Sequence, residues 1–145
     1  DIYSEVILEH CRSPRNRAEP QDPDIIAHGV NPFCGDEVHI QVRLDDHGHV
    51  DQIGLQAVGC SINQAAGSML TEALQGKTVD GMSAVSAAFE KMMVDGKRSE
   101  EAARQLGDLQ MLSAVRMFPV RIKCALLAWN ALQDGIKDFQ RAHRS

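Results

Sequence analysis

Residues 37–44, EVHIQVRL, are followed by the tetrapeptide Asp45-Asp46-His47-Gly48 and then by residues 50–58, VDQIGLQAV. Val38, Ile40, Val42 and Leu44 alternate with Glu37, His39, Gln41 and Arg43. That is the two-residue period of a strand with one buried and one wet face. Ile53, Leu55 and Ala57 keep the same step in the second run, and the acidic, glycine-containing segment between the runs has turn chemistry, so the pair reads as an antiparallel hairpin. A hairpin brings its two outer ends together. Cys34 lies just before the first strand and Cys60 just after the second.

Beyond the hairpin the period becomes helical. Ser61 with Gln64 has the spacing of a capping box, and Ala65, Ala66, Met69, Leu70, Ala73 and Leu74 form an apolar stripe that Gly76 ends. A second helix is expected from about Met82 to Val94, a polar and partly helical connection over 97–107, and a short helix from Leu109 to Met117. Pro119 opens the last helix, whose stripe is Ile122, Leu126, Trp129, Leu132, Ile136 and Phe139. On the other side, Ile2 to about His10 reads as a short helix, stopped by Ser13-Pro14-Arg15, and Ile25 to Val30 as a short strand. Strands followed by helices indicate an α+β fold: a small antiparallel sheet of three strands with helices packed on one face. The 145 residues fit one domain, 1–145.

The composition, 43% hydrophobic and 24% charged with a net charge of −5, is that of a globular chain. Its fifteen Lys and Arg are scattered, whereas phosphate backbones are bound by clustered positive charge. No apolar run approaches the roughly 20 residues of a membrane span. Neither nucleic acid nor membrane is therefore expected as a partner, and the expected compartment is the cytoplasm.

The four cysteines, Cys11, Cys34, Cys60 and Cys124, then point to metal binding or thiol chemistry rather than to disulfides. In Asn31-Pro32-Phe33-Cys34-Gly35-Asp36 a thiol and a carboxylate stand two positions apart, and Gly35 permits the bend that turns both to one centre. Cys60 precedes a helix and Cys124 lies in the first turns of another, where the helix dipole favours thiolate. If the last helix crosses the hairpin ends, Cys34, Asp36, Cys60 and Cys124 form a four-ligand set for Zn²⁺. Irregular spacing without a CxxC pair leaves open the other reading, cysteines as small buried hydrophobes.

NPFCGD, GCSINQAAGSML, LGDLQ and FPVRIKCALLAWNAL, in that order, resemble the SufU/IscU-type iron–sulfur cluster assembly proteins, the NifU-like N-terminal family. YSEVILEHCRSPRN resembles the family's opening helix and PRN signature. The resemblance covers nearly the whole chain and implies a SufE/NifU-like fold. It also implies that Cys34, Asp36, Cys60 and Cys124 are the metal or cluster ligands. Lys123 stands where scaffold members have histidine, and the segment from about 76 to 108 is longer than in the IscU branch. Both features resemble the SufU branch, which binds zinc and relays sulfur from a partner cysteine desulfurase.

The resemblance therefore implies a zinc-dependent sulfurtransferase. Its donor is a SufS-like cysteine desulfurase, and its acceptor a downstream iron–sulfur scaffold or apo-protein. Docking is expected to free Cys34, in its Pro- and Gly-containing loop, as the attacking thiolate. The alternative is a scaffold for a transient [2Fe–2S] cluster on the same residues. Arg121 and Lys123, beside Cys124, are expected to offset the negative charge of the site, and Arg15 to contact the partner or the site. Cys11 reads as packing, His39, His47 and His49 as solvated, and the methionines as core or partner surface.

Overall fold

The computed structural model describes residues 4–143. Its elements are α1 (Glu5–Arg12), β1 (Ile25–Asn31), β2 (Asp36–Leu44), β3 (Val50–Val58), α2 (Ser61–Leu74), α3 (Val79–Asp95), α4 (Glu100–Leu106), a 3-10 helix (Gly107–Met117) and α5 (Pro119–Ala142). The strands form one antiparallel sheet in the order β1-β2-β3. Its inner face is built by the alternation seen in the sequence: Val38, Ile40, Val42 and Ile53 are all buried. The helices supply the other half of the core, with α5 lying along β1 and β2 and α2 against β3. This is the α+β layering expected. No helix among the described residues is long and apolar enough to cross a membrane.

Close approach of the layers depends on small residues. A Cβ at Gly67 of α2 would stand 2.7 Å from a Leu55 methyl, and one at Gly135 of α5 would stand 2.9 Å from Ala27 Cβ. At the centre of the helical layer Phe89 and Trp129 stack with centroids 4.9 Å apart. Two aromatic rings buried there contribute the largest apolar surfaces of the core.

Several boundaries differ from the sequence reading, each for a local reason. The first helix begins at Glu5 because Ser4 is its cap, its hydroxyl accepting the Ile7 N–H; Ile2 and Tyr3, expected to open that helix, lie outside the described residues. Thr78 caps α3 three residues earlier than expected, accepting from Gly81 N–H, and Gly96 closes it with φ 72°. The segment expected as a short helix from Leu109 is instead a 3-10 helix. Its buried residues, Leu109, Leu112 and Val115, recur every third position, which is the 3-10 period.

α1 is joined to α2 through a buried histidine. His10 Nδ1 lies 2.7 Å from Ser68 Oγ, and Nε2 lies 3.2 Å from Glu72 Oε1. Burial, followed by the positive charge of Arg15, holds the His10 pKa below its ordinary value, against the opposing pull of Glu72, Asp108 and Glu9. The folded state thus binds the proton less well than the unfolded chain. His10 contributes stability above the unfolded pKa, about 6.5, and that stability is lost as pH falls through the lower folded value. Urea midpoints measured from pH 7.5 downward should therefore fall more steeply for the natural chain than for His10→Gln. Parallel curves would show that His10 carries no such linkage.

Candidate metal centre

β1 and β2 are joined by a four-residue turn, 32–35, in which Gly35 takes φ 68° and the Cys34 N–H donates to Asn31 O at 3.2 Å. Asp36, the first residue of β2, points inward and is only 2% exposed. α5 crosses this end of the sheet and brings Cys124, fully buried, to the same place. One ligand atom each from Cys34, Asp36 and Cys124 lies within 4.8 Å of the other two. Thiolates sharing one tetrahedral ion at about 2.3 Å stand about 3.8 Å apart, so the cluster has the right scale.

Cys60 lies beside this group. It is the N-cap of α2, its sulfur accepting the Ile62 N–H at 3.4 Å and a hydrogen bond from Arg121 Nη1. Its own N–H donates to Asp36 Oδ1 at 2.7 Å. The expected capping box does not form, because the N-cap is Cys60 and its N–H is taken by Asp36. Ser61 is the first helical residue, and Gln64 reaches back to Gly59 O at 3.1 Å. The sulfur of Cys60 occupies the position that the side-chain oxygen of a Ser, Thr, Asp or Asn N-cap usually takes.

The electrostatics of the cluster favour a cation. Asp36 Oδ2 is buried with no hydrogen-bond partner, a costly arrangement for a carboxylate oxygen. Burial, the close approach of Asp36 and Cys34, and the charges of Cys60 and Asp36 push the Cys124 thiol well above the ordinary thiol range. Two thiols and a carboxylate packed together cannot all ionise without compensating positive charge. A divalent ion supplies that charge and takes the orphaned oxygen as a ligand. The donor set fits Zn²⁺ and fits iron equally well.

Around the cluster, Arg121 donates to the Cys60 sulfur, and Lys123 places its ammonium 5.8 Å from the centroid of the Phe33 ring. Arg15 is engaged elsewhere: its N–H donates to Ser68 Oγ and its guanidinium to Glu9, between α1 and α2. Cys11 donates to Ser61 O at 3.5 Å and packs against the core, and burial raises its pKa. Sequence reasoning did not single out Gly59, whose absent side chain leaves room for Asp36. It also read past the pairing of His28 and His39, which the strand register makes opposite neighbours.

The fold and this site define a class: small α+β proteins that hold cysteines and an aspartate where a helix crosses one end of a three-stranded sheet. The sequence profile of the NifU-like N terminal domain matches residues 2–123. The chain belongs to that family. It is 38% identical over 135 residues, 93% of this chain and 89% of the other, to the zinc-dependent sulfurtransferase SufU of Bacillus subtilis. It is 34% identical, over 94% of this chain and 83% of the other, to the iron–sulfur cluster assembly scaffold protein IscU of Streptococcus pyogenes. A crystal structure of a protein described as a putative iron–sulfur cluster assembly scaffold protein for the SUF system, from Fervidobacterium islandicum, superposes with a TM-score of 0.84 at 28% identity. The match covers 93% of this chain and 96% of that one.

Proposed function

We propose that this chain is a zinc-dependent sulfurtransferase of iron–sulfur cluster assembly, accepting persulfide sulfur on Cys34 from a cysteine desulfurase in the cytoplasm. The observation that carries the reading is the buried, unpartnered Asp36 oxygen set among cysteines. Cys34, Asp36, Cys60 and Cys124 would hold the zinc, Cys60 standing next to the other three. Bound zinc keeps the thiols deprotonated at neutral pH.

The remaining work belongs to the chain. Cys34 is the nucleophile because it sits in the exposed turn, between Phe33 and a glycine, whereas Cys124 is buried in a helix. Its thiolate attacks the outer sulfur of the donor's persulfide. A new S–S bond forms at Cys34, the old one breaks, and the donor cysteine leaves as thiolate, with no net oxidation. Arg121, on the Cys60 sulfur, steadies that thiolate while the exchange proceeds. Lys123 adds positive charge at the rim, held over Phe33.

Phe33, next to Cys34, and Met117, Phe118 and Val120, at the start of the helix that carries Cys124, are exposed apolar side chains. Exposed apolar side chains on segments that carry site cysteines suit a docking surface, and a SufS-like desulfurase is the partner that fits a sulfur acceptor. The sulfur then passes to a downstream scaffold or apo-protein. Metal content of the purified protein, followed by desulfurase turnover with and without it, tests the proposal. Stoichiometric colourless zinc and faster turnover are expected. A brown protein that passes a [2Fe–2S] cluster to an apo-ferredoxin would replace this reading with the scaffold. Zinc without any effect on turnover would reduce the site to a structural one.

A further inference from the structure

On the sheet face turned away from the helices, three side chains converge. His28 of β1 is paired with His39 of β2, and Glu37 lies two residues before His39 on the same face. The imidazoles stack with centroids 4.4 Å apart. Both Nε2 atoms lie 3.1 Å from the same oxygen, Glu37 Oε1. The three ligand atoms are within 4.8 Å of one another. The side chains are between 43% and 51% exposed, so solvent reaches the point where they meet.

We propose that His28, Glu37 and His39 form a second metal site, taking a divalent transition cation such as Zn²⁺ or Co²⁺. Two imidazoles and one carboxylate select such ions over Mg²⁺ and Ca²⁺, which prefer oxygen donors throughout. Donors bound at about 2.0–2.2 Å to one tetrahedral or octahedral ion stand about 3.0–3.5 Å apart, and the Nε2–Oε1 separations fall in that range. Strand register and ring stacking set the two imidazoles side by side with Glu37, and a bound ion would replace the protons that Nε2 shares with Glu37 Oε1 in its absence. Each neutral ring offers its Nε2 lone pair once its proton resides on Nδ1. Three protein ligands leave the outward positions to water, which makes the bound ion exchangeable.

This site is independent of the cysteine cluster. Asp36 and Glu37 are consecutive in β2 and therefore face opposite sides of the sheet. One side presents sulfur donors and the other imidazole nitrogen. The inference holds whatever the cysteines bind.

The test is calorimetric titration of Zn²⁺ into the full chain already carrying one equivalent of zinc. A second, weaker equivalent is expected. The double variant His28→Gln/His39→Gln should bind it at least ten-fold more weakly, and Glu37→Gln should weaken it while keeping both rings. Cys34→Ala/Cys124→Ala, titrated from the metal-free state, should retain this weaker binding, and His47→Gln/His49→Gln should bind as the natural chain does. Co²⁺ in that second site should show d–d bands without thiolate charge-transfer absorption. Absence of a second equivalent, unchanged affinity in the double histidine variant, or loss of binding on removing His47 and His49 would each overturn the proposal.

Discussion

Replacing Cys34 with alanine should abolish the persulfide on this chain and leave the fold in place. The thiol sits in the 32–35 turn, half-buried, and makes no structural hydrogen bond through its sulfur comparable to that of Cys60. Removing one sulfur atom from a turn costs on the order of 1 kcal/mol or less. It removes the nucleophile outright. After incubation with a cysteine desulfurase and cysteine, intact-mass spectrometry should find the added sulfur on the natural chain and none on the variant. Circular dichroism should be unchanged. A Cys34→Ala protein that still gains sulfur would move the acceptor role to Cys60 or Cys124.

The second large effect is expected at a residue with no side chain. A Cβ at Gly59 would stand 2.4 Å from Asp36 Oδ1, 2.8 Å from Asp36 Cα and 2.9 Å from Gly35 O. Two of those atoms belong to the backbone and cannot turn aside, and φ at this position is 108°. Backbone strain of about 1–3 kcal/mol adds to overpacking of about 1–3 kcal/mol. Gly59→Ala should therefore lower stability by about 2–6 kcal/mol. It should also push the Asp36 carboxylate off the Cys60 N–H, which now lies 2.7 Å from Oδ1. Loss of such an orienting contact weakens metal binding by about 10–100-fold.

Gly35→Ala is the natural comparison, since φ is 68° there but no atom lies within 4 Å of the added methyl. It should lose only the strain, about 1 kcal/mol. Urea denaturation and zinc competition against a chelator distinguish the two. Equal losses in both variants would show that Gly59 matters for its backbone angle alone and not for the space it leaves to Asp36.

The hairpin was legible because alternation is a local signal. Val38, Ile40 and Val42 declare a buried face within a few residues of chain, and β2 and β3 end within one residue of where that pattern places them. The last helix was equally plain, since Pro119 and a long apolar stripe are both local. Less legible was any feature whose period fits two structures. Leu109, Leu112 and Val115 suit an α-helix face and a 3-10 helix alike, and packing against α1, α2, α3 and α5 selected the tighter form.

The candidate site divides in the same way. Resemblance marked four residues, yet only their placement tells Cys34, Asp36 and Cys124 in one tight group from Cys60 at its side, capping a helix and receiving Arg121. His28 and Glu37 are nine positions apart in the chain, and nothing local couples them until β1 folds against β2 in one particular register. By itself the sequence determined which segments are strands and helices, and which donor atoms the chain carries, because both follow from neighbours along the backbone. Tertiary structure alone decided which donors meet, which face water, and which buried oxygen is left without a partner. Those outcomes depend on contacts between elements distant in sequence, and a one-residue slip in register would reverse them.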